Sequence, residues 1–376
     1  MTSRNRHFRR ACTPLLAVAV ALPFILASPA SAAPASGFTT TTISGGITSG
    51  GQLAVDSQRR AVFVADGDSW SKKINGRVWP VPRPLNPKIA VLNADTRRVT
   101  RTIDYLPLPA GSMNAYGVKI PSPQVPAGLA LDTRRGLIVT TNAQSNGAAI
   151  VPMTARAARP SDIVRGSDGP LAHPMGTTVD PVTGLAYIAV FSRDLVAVIN
   201  PGTRQQVGQI PGLYKASVPA VDAQRRRLYV GNADTKNSRG EHYVAVVDLT
   251  TKRVVKKIAT PQNTRPSVDP STGLVYLTSF KTGEIGVLDP TTLTVGKRIQ
   301  TNSTPVTLAV DSRRGLGYTS NLFSKSITVV DLNSATVLTT IRTAGEPHTP
   351  AVDARTGTVF FTQFQSPDLI VLTAAR

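Results

Sequence analysis

The chain contains seven copies of one short pattern, in which an apolar stretch ends in aspartate. An aromatic residue follows six of these aspartates by seven positions, and the second copy has Ile138 one place earlier. Successive aspartates are 42 to 48 residues apart, except for a first interval of 76. A strand-like repeat of about 40–50 residues is typical of propeller blades. The aspartates are Asp56, Asp132, Asp180, Asp222, Asp269, Asp311 and Asp353, and the aromatic residues are Phe63, Tyr187, Tyr229, Tyr276, Tyr318 and Phe360.

Each repeat contains four short runs that we interpret as antiparallel strands a to d. Strand a ends at the aspartate, and a tight turn such as residues 180–184 leads to strand b with its aromatic residue. Strand c is an apolar run such as residues 244–248, and strand d ends in isoleucine in most copies, although the copy near residues 161–166 is degenerate. Asp, Pro and Gly between apolar runs are the residues that hairpin turns require. The pattern predicts an all-β, seven-bladed β-propeller of four-stranded blades.

The last repeat has no strand d before the chain ends at Arg376, and a matching run occurs at the other end of the sequence. Residues 39–43 have the spacing of a strand d. An N-terminal strand that completes the last blade would close the ring and leave no open sheet edge. We therefore expect removal of residues 38–44 to destabilise the whole domain.

The repeated residues are expected to have structural roles. Aspartate at the end of a strand accepts hydrogen bonds from the backbone amides of the following turn. Aromatic side chains on strand b would fill the spaces between blades. Neither set is expected to be catalytic.

Strand b ends in a recurring motif, and the motif resembles that of a known family. The copies read Tyr229-Val-Gly-Asn232, Tyr318-Thr-Ser-Asn321, Ile138-Val-Thr-Thr-Asn142 and Tyr276-Leu-Thr-Ser279. These are similar to the Tyr-Val-Thr-Asn motif of the YVTN-repeat (YncE-like) β-propellers, over nearly all of residues 33–376. The resemblance implies a seven-bladed propeller that is often exported. It implies no shared activity, since related propellers include both lactonases and binding modules.

The first 32 residues have the features of a signal peptide. Four arginines, an apolar stretch from Leu15 to Leu26 and the small residues Ala30-Ser31-Ala32 occur in that order. We expect cleavage after Ala32, by the general or the twin-arginine route, and a single propeller domain from 33 to 376. Cys12 is the only cysteine, so the mature chain would lack thiol chemistry. No later segment could cross a membrane, and we expect a secreted monomer, extracellular or associated with the cell wall.

The net charge is +20, and +16 remains without the four arginines of the first 32 residues. One interpretation is an anionic partner, such as a wall polymer, a glycan or nucleic acid; the other is a solvated surface. Many of the cations fall in the a–b and c–d turns, which share one face of a propeller, close to the repeated aspartates. Basic residues in these turns include Arg59, Arg60, Arg97, Arg134, Arg135, Arg204, Arg225, Arg226, Arg313, Arg314 and Arg355.

The opposite face, formed by the b–c and d–a connections, carries the long insertions. Residues 66–87 and 104–125 combine aromatic and cationic side chains, which suit flat or anionic ligands. We predict ligand binding on this face; alternatively, the two tryptophans only pack their own loop. The candidate ligand-binding residues are Trp70, Lys72, Lys73, Arg77, Trp79, Tyr105, Tyr116, Lys215 and Arg265.

Polar residues also precede several strands a, where the central channel of a propeller opens. His173, Glu346 and His348 are the candidate catalytic residues there, and Lys215 and Arg265 are close to them in the repeat. A lactonase-like hydrolase would need these three side chains in one cavity. The sequence has no nucleophile elbow, phosphate loop, dinucleotide fingerprint or metalloprotease motif. The leading hypothesis is a non-catalytic binding scaffold without metal or cofactor, with the hydrolase and an anionic-polymer or nucleic-acid binder as alternatives.

Overall fold

In a computed structural model, the chain forms seven antiparallel sheets around a closed ring. The structure describes residues 37–67, 71–74, 77–80, 86–109, 111–115, 118–122, 124–164, 166–169, 171–233, 240–364 and 366–374. The innermost strand of each sheet contacts the innermost strands of both neighbouring sheets, and the seventh contacts the first. The fold is therefore the seven-bladed β-propeller that the repeat predicted.

The strands follow the predicted order within each blade. In chain order they are β1 (Phe38–Ile43), β2 (Gly50–Asp56), β3 (Ala61–Asp66), β4 (Ser71–Ile74), β5 (Arg77–Pro80), β6 (Lys88–Asn93), β7 (Val99–Asp104), β8 (Gly111–Ala115), β9 (Val118–Ser122), β10 (Gly128–Asp132), β11 (Leu137–Asn142), β12 (Gly147–Pro152), β13 (Pro174–Val179), β14 (Ala186–Val190), β15 (Leu195–Asn200), β16 (Gln205–Pro211), β17 (Ala216–Asp222), β18 (Arg227–Asn232), β19 (Tyr243–Asp248), β20 (Arg253–Ala259), β21 (Arg265–Val268), β22 (Val275–Ser279), β23 (Glu284–Asp289), β24 (Thr294–Gln300), β25 (Pro305–Asp311), β26 (Leu316–Asn321), β27 (Ser326–Asp331), β28 (Thr336–Arg342), β29 (Pro347–Val352), β30 (Val359–Gln363) and β31 (Leu369–Ala374).

Six blades have four strands, and blade 2 has three. Blade 1 consists of β2, β3, β6 and β7, blade 2 of β10–β12, and blades 3 to 6 of consecutive groups of four from β13 to β28. In the described part of blade 2, the outer position holds a bridge between Ile163 and Ala149 in place of a full strand. The hairpins β4–β5 and β8–β9 are insertions in the b–c connection of blade 1 and in the connection from blade 1 to blade 2. Short 3-10 helices span Ala143–Ser145, Pro160–Asp162 and Phe191–Arg193. No helix in the described ranges is long and apolar enough to cross a membrane.

The N-terminal strand closes the ring, as predicted. Strand β1 pairs antiparallel with β31 along its whole length, from Phe38 opposite Ala374 to Ile43 opposite Leu369. Blade 7 therefore consists of β29, β30, β31 and β1. The ring of Phe38 also meets the ring of Tyr318 in blade 6 edge to face, with centroids 6.4 Å apart. The strand both covers the edge of β31 and contributes to the packing between two blades.

The repeated aromatic residues lie between blades, as predicted. Phe63, Tyr187, Tyr229, Tyr276, Tyr318 and Phe360 are all at most 2 % exposed. Phe63 of blade 1 packs with Ile138 of blade 2, and Tyr229 of blade 4 packs with Val275 of blade 5. Each core cluster therefore joins two neighbouring sheets, so that the stability of one blade depends on the next.

The repeated aspartates cap the a–b turns, also as predicted. In blade 3, the buried Asp180 accepts the backbone N–H of Val182 at 2.9 Å and the hydroxyl of Thr183 at 2.7 Å. It also forms an ion pair with Arg226 of the next blade. Five other aspartates accept turn amides in the same way. In blade 6, Asp311 instead binds the guanidinium of Arg314 at 2.9 Å.

The same aspartates neutralise much of the basic turn face. Arg59, Arg135 and Arg225 each stand three residues after the aspartate of their own turn and pair with it at 2.7 to 3.2 Å. Arg60 joins Asp353 of blade 7 and Asp95, each at 2.6 Å. These arginines serve the turns and the contacts between blades, so they add little free positive potential on this face.

A chain that begins at residue 45 should be markedly less stable than one that begins at residue 37. Loss of β1 exposes the backbone edge of β31 and removes the contact between Phe38 and Tyr318. We expect a lower midpoint of thermal unfolding by circular dichroism and concentration-dependent aggregation on heating. Equal midpoints for the two chains would show that β1 is dispensable for closure.

Acid should destabilise the ring through its aspartates. Burial alone would raise the pKa of Asp180, Asp269 and Asp353, but hydrogen bonds from turn hydroxyls and amides lower it below the ordinary value near 3.8. A depressed pKa in the folded state means that the unfolded chain binds more protons below about pH 4. The contribution of these aspartates to the free energy of unfolding should therefore be complete above about pH 4 and be lost as the pH falls toward about 2. Midpoints that stay constant down to about pH 2 would contradict this role.

Candidate functional site

A cavity of about 370 Å³ lies at one mouth of the central channel. Its wall contains one residue from the start of the innermost strand in each of blades 3 to 7, always five positions before the repeated aspartate. Blades 1 and 2 have the small residues Gly51 and Ala127 at this position. The b–c connections of blades 4 to 6 complete the wall, so the cavity opens on the face with the long insertions. The innermost-strand residues are Met175, Ser217, Thr264, Val306 and His348.

Arg265 brings a positive charge into this cavity without a partner of opposite charge. It is the first residue of β21 and is mostly buried. Within the described part of the chain, its guanidinium makes no ion pair and no side-chain hydrogen bond, and burial lowers its pKa. The other blades have uncharged residues at this place in the repeat, four before the aspartate, such as Gln52, Val218 and Thr349. The charge is therefore peculiar to blade 5.

His348 lines the same cavity from blade 7 and is neutral at physiological pH. Burial, together with the positive charge of Arg265, lowers its pKa to about 4. Its Nδ1 lies 3.3 Å from the hydroxyl of Thr349, and its ring packs at 5.8 Å from that of Phe364. A neutral imidazole can donate or accept one hydrogen bond toward a ligand. It adds polarity to the cavity but no charge.

Apolar side chains form another part of the cavity wall. The rings of Phe280 and Phe323 meet edge to face at 5.5 Å, and both line the cavity together with Leu322 and Val306. Phe323 is 64 % exposed, which is unusual for a phenylalanine. The cavity thus combines one cation, one neutral imidazole and an apolar wall. These are the features of a small-molecule site.

His173 and Lys215 form a separate cluster against Phe191. The histidine ring lies 5.3 Å from that phenylalanine, and the Nζ of Lys215 lies 4.7 Å from the centre of the same ring. Burial and the charge of Lys215 lower the pKa of His173. Asp194 accepts the backbone N–H of Lys215 at 2.9 Å and lies 3.9 Å from its Nζ. Neither His173 nor Lys215 lines the channel-mouth cavity.

The structure brings together only part of the set of residues that the sequence singled out. Arg265 and His348 share the cavity, whereas Glu346 does not line it. Tyr105 is fully buried in the core between blades 1 and 2, and its hydroxyl lies 3.0 Å from that of Thr140. Its ring therefore offers no surface to a ligand, which corrects that expectation.

Six other candidates fall on the insertions. Trp70 and Tyr116 lie outside the described residues. Lys72, Lys73, Arg77 and Trp79 belong to strands β4 and β5, where Lys72 is paired with Trp79, but their side chains are outside the described part. These residues remain predicted ligand contacts.

Phe280, Leu322 and Phe323 were not among the site residues predicted from the sequence. They follow strand b directly in blades 5 and 6. Apolar residues just beyond the end of a buried strand, in a short polar connection, are the signal that would have identified them. Only Phe323 of the three is largely exposed, and its exposure does not stabilise the blade.

The three candidate residues of the hydrolase alternative do not line the channel-mouth cavity together. His348 lines the channel mouth, whereas His173 packs against Phe191 and Glu346 lies outside the lining. Among the described residues, no group of three or more His, Cys, Asp or Glu side chains could hold a metal ion.

The comparisons with known proteins agree on the fold and are silent on the family. No protein-family model matches the chain, and no curated protein matches it in sequence. Among solved structures, the chain is similar to Kuenenia stuttgartiensis hydrazine synthase, with a TM-score of 0.61 and 13 % identity. The match covers 88 % of this chain and 96 % of the other. At this identity the similarity concerns the propeller fold alone.

The titration of His348 should report on Arg265. We expect its ring proton resonances to show a pKa near 4 by NMR. In Arg265→Met the neighbouring positive charge is lost, so the pKa of His348 should rise while that of His173 stays the same. An unchanged pKa for His348 in this variant would show that the two side chains do not interact.

Proposed function

We propose that this protein is an exported, non-catalytic propeller that binds a small anionic ligand with an apolar part at the channel mouth. The observation that carries the proposal is the charge of Arg265, which lines a cavity and has no counter-ion among the residues that the structure describes. We also propose that residues 1–32 are a signal peptide and that the chain belongs to the YVTN-repeat propellers. The repeated strand b motif and the basic, then apolar, N-terminal sequence support these two points.

The electrostatics favour an anion over a neutral ligand. A charge that is removed from water without a partner costs free energy, and the fold keeps Arg265 in that situation. A carboxylate, sulfonate or phosphate in the cavity would restore the lost interactions, and the planar guanidinium can form two parallel hydrogen bonds to such a group. His348, neutral beside it, would donate or accept a further hydrogen bond.

The apolar wall favours a ligand with a flat or aliphatic portion. Phe280, Phe323 and Leu322 line the same cavity as Arg265, and Phe323 is largely exposed to solvent. Covering its ring would release water from apolar surface at about 25 cal/mol per Å². The insertions that carry Trp70, Lys72 and Trp79 rise from the same face and would extend the contact to a larger ligand, such as a glycan or an anionic polymer.

Anilinonaphthalene sulfonate is a suitable probe, because it combines a sulfonate with aromatic rings and fluoresces when it is bound. We expect saturable binding to the wild type and binding about tenfold weaker to Arg265→Met, since hydrogen bonds to a charged group contribute about 1.5–3 kcal/mol. The neutral probe N-phenylnaphthylamine should bind both proteins equally. Arg253→Met, which removes an exposed arginine from the outer strand β20, is the matched control.

The thermal stability of Arg265→Met distinguishes a binding role for Arg265 from a structural role. Removal of an uncompensated buried charge should leave the thermal midpoint of Arg265→Met unchanged or higher. A lower midpoint, or equal loss of both probes, would show that the side chain supports the fold and would contradict the proposal. Equal affinity of the wild type and Arg265→Met for the sulfonate would do the same.

A further inference from the structure

Blade 2 lacks a complete outer strand, and the chain leaves an open groove there. In blade 3, the first residue of the outer strand, Gln205, pairs with the last residue of the third strand, Asn200. In blade 2 the third strand ends at Pro152, but the following residues run toward blade 1 instead. The backbone N–H of Asp104 donates to Arg156 at 2.9 Å, and that of Ala158 donates to Asp104 at 2.8 Å.

The chain returns to blade 2 beside the first residues of β12. Ile163 bridges Ala149, and the N–H of Val164 donates to the carbonyl of Ala148 at 2.9 Å. A groove of about 920 Å³ lies beyond the end of β12, where Pro107, Pro152, the returning segment from Thr154 to Asp162, and Arg204 line it. The Nε–H of Arg204 donates a hydrogen bond to the carbonyl of Ile150 in β12, at 3.1 Å.

Arginines dominate the charge around this groove. Arg156 and Arg159 line it and are exposed, and within the described residues neither guanidinium has an acidic partner. Arg204 pairs with Asp162 at 3.0 Å. The other carboxylate oxygen of Asp162 accepts the backbone N–H of Arg159 at 2.8 Å, so this one acid is already used.

A fourth arginine, Arg101, adds to the positive potential of the groove from the side of blade 1. Arg101 of blade 1 donates to the carbonyls of Ala155 and Met153, and these bonds hold the returning segment in place. Burial, and then the charge of Arg156, lower the pKa of Arg101. Unlike the turn arginines paired with the repeated aspartates, this cluster has an excess of positive charge.

We propose that this groove binds an extended acidic peptide segment of a partner protein. The groove lies next to the incomplete outer strand of blade 2, and Arg156 and Arg159 at its rim have no acidic partner within the described residues. Pro107, Pro152 and Ala155 give it an apolar floor, and the arginines at its rim can each bind a carboxylate through two hydrogen bonds. A chain of alternating carboxylate and apolar side chains matches this combination of charge and shape.

The test uses a fluorescein-labelled peptide of alternating glutamate and valine, followed by fluorescence anisotropy with the full mature chain. We expect saturable binding that weakens as salt rises from about 20 to about 200 mM. The double variant Arg156→Gln/Arg159→Gln should bind about tenfold more weakly, because both guanidinium–carboxylate pairs are lost. Arg253→Gln, which removes one exposed arginine from blade 4, should change the affinity less than about twofold.

A second variant leaves the arginines intact. Thr154 is exposed and lines the groove, so Thr154→Glu would place a competing carboxylate inside it. This variant should also bind the peptide more weakly while it retains the thermal midpoint of the wild type. Unchanged binding in both variants, or an equal loss in Arg253→Gln, would overturn the proposal.

Competition decides between classes of partner. Single-stranded DNA or polyphosphate of equal charge should compete less well than the acidic peptide, because neither offers apolar side chains for the floor of the groove. Stronger competition by either polymer, with the same dependence on Arg156 and Arg159, would overturn the peptide proposal and assign the groove to a polyanion. The sulfonate site at Arg265 is a different cavity, so binding there should be unaffected by all of these variants.

Discussion

The aspartate at the end of each innermost strand is the interaction on which this propeller depends. It organises the first turn of its blade and, through arginines such as Arg226 and Arg60, ties that turn to a neighbouring blade. These aspartates also determine which of the neighbouring arginines are neutralised by an ion pair. Turn arginines such as Arg59, Arg135 and Arg225 pair with these carboxylates, which reduces the positive potential of the turn face. Arg265, which is mostly buried in a cavity, and Arg156 and Arg159, which line one groove, are among the cations that have no acidic partner within the described residues.

The sequence was sufficient for the architecture because each blade repeats the same local chemistry. Aspartate, a tight turn, an aromatic residue and an apolar run recur in register, and every level of the pattern favours the same sheet. The closing strand was predictable for the same reason, since residues 39–43 have the spacing of the strand that the last repeat lacks. Removal of β1 tests ring closure, because this strand joins the two ends of the propeller sequence.

The site was less predictable, since convergence across blades depends on the depth and direction of side chains. Tyr105 shows the limit: it follows a strand within a long connection, but its ring fills the core between blades 1 and 2. His173 and His348 occupy related places in the repeat, but one packs against Phe191 and the other faces the cavity with Arg265. His173 stands seven positions before its repeated aspartate and His348 five, and this difference of two residues changes whether the side chain reaches the channel. The offset can be counted in the sequence, but the sequence alone does not show which offset faces the channel.

In a repeat protein, departures from the repeat are the best guide to function. Arg265 replaces an uncharged residue at one position of the innermost strand, and blade 2 gives up part of its outer strand. Neither change helps the blade: among the described residues the first leaves a mostly buried charge without a counter-ion, and the second removes part of the outer strand that the other blades have. The channel mouth lies on the face of the insertions, whereas the groove lies by the end of β12, toward the turn face. Because a closed ring of packed sheets separates them, occupation of one site should change the affinity of the other only if the blades themselves move.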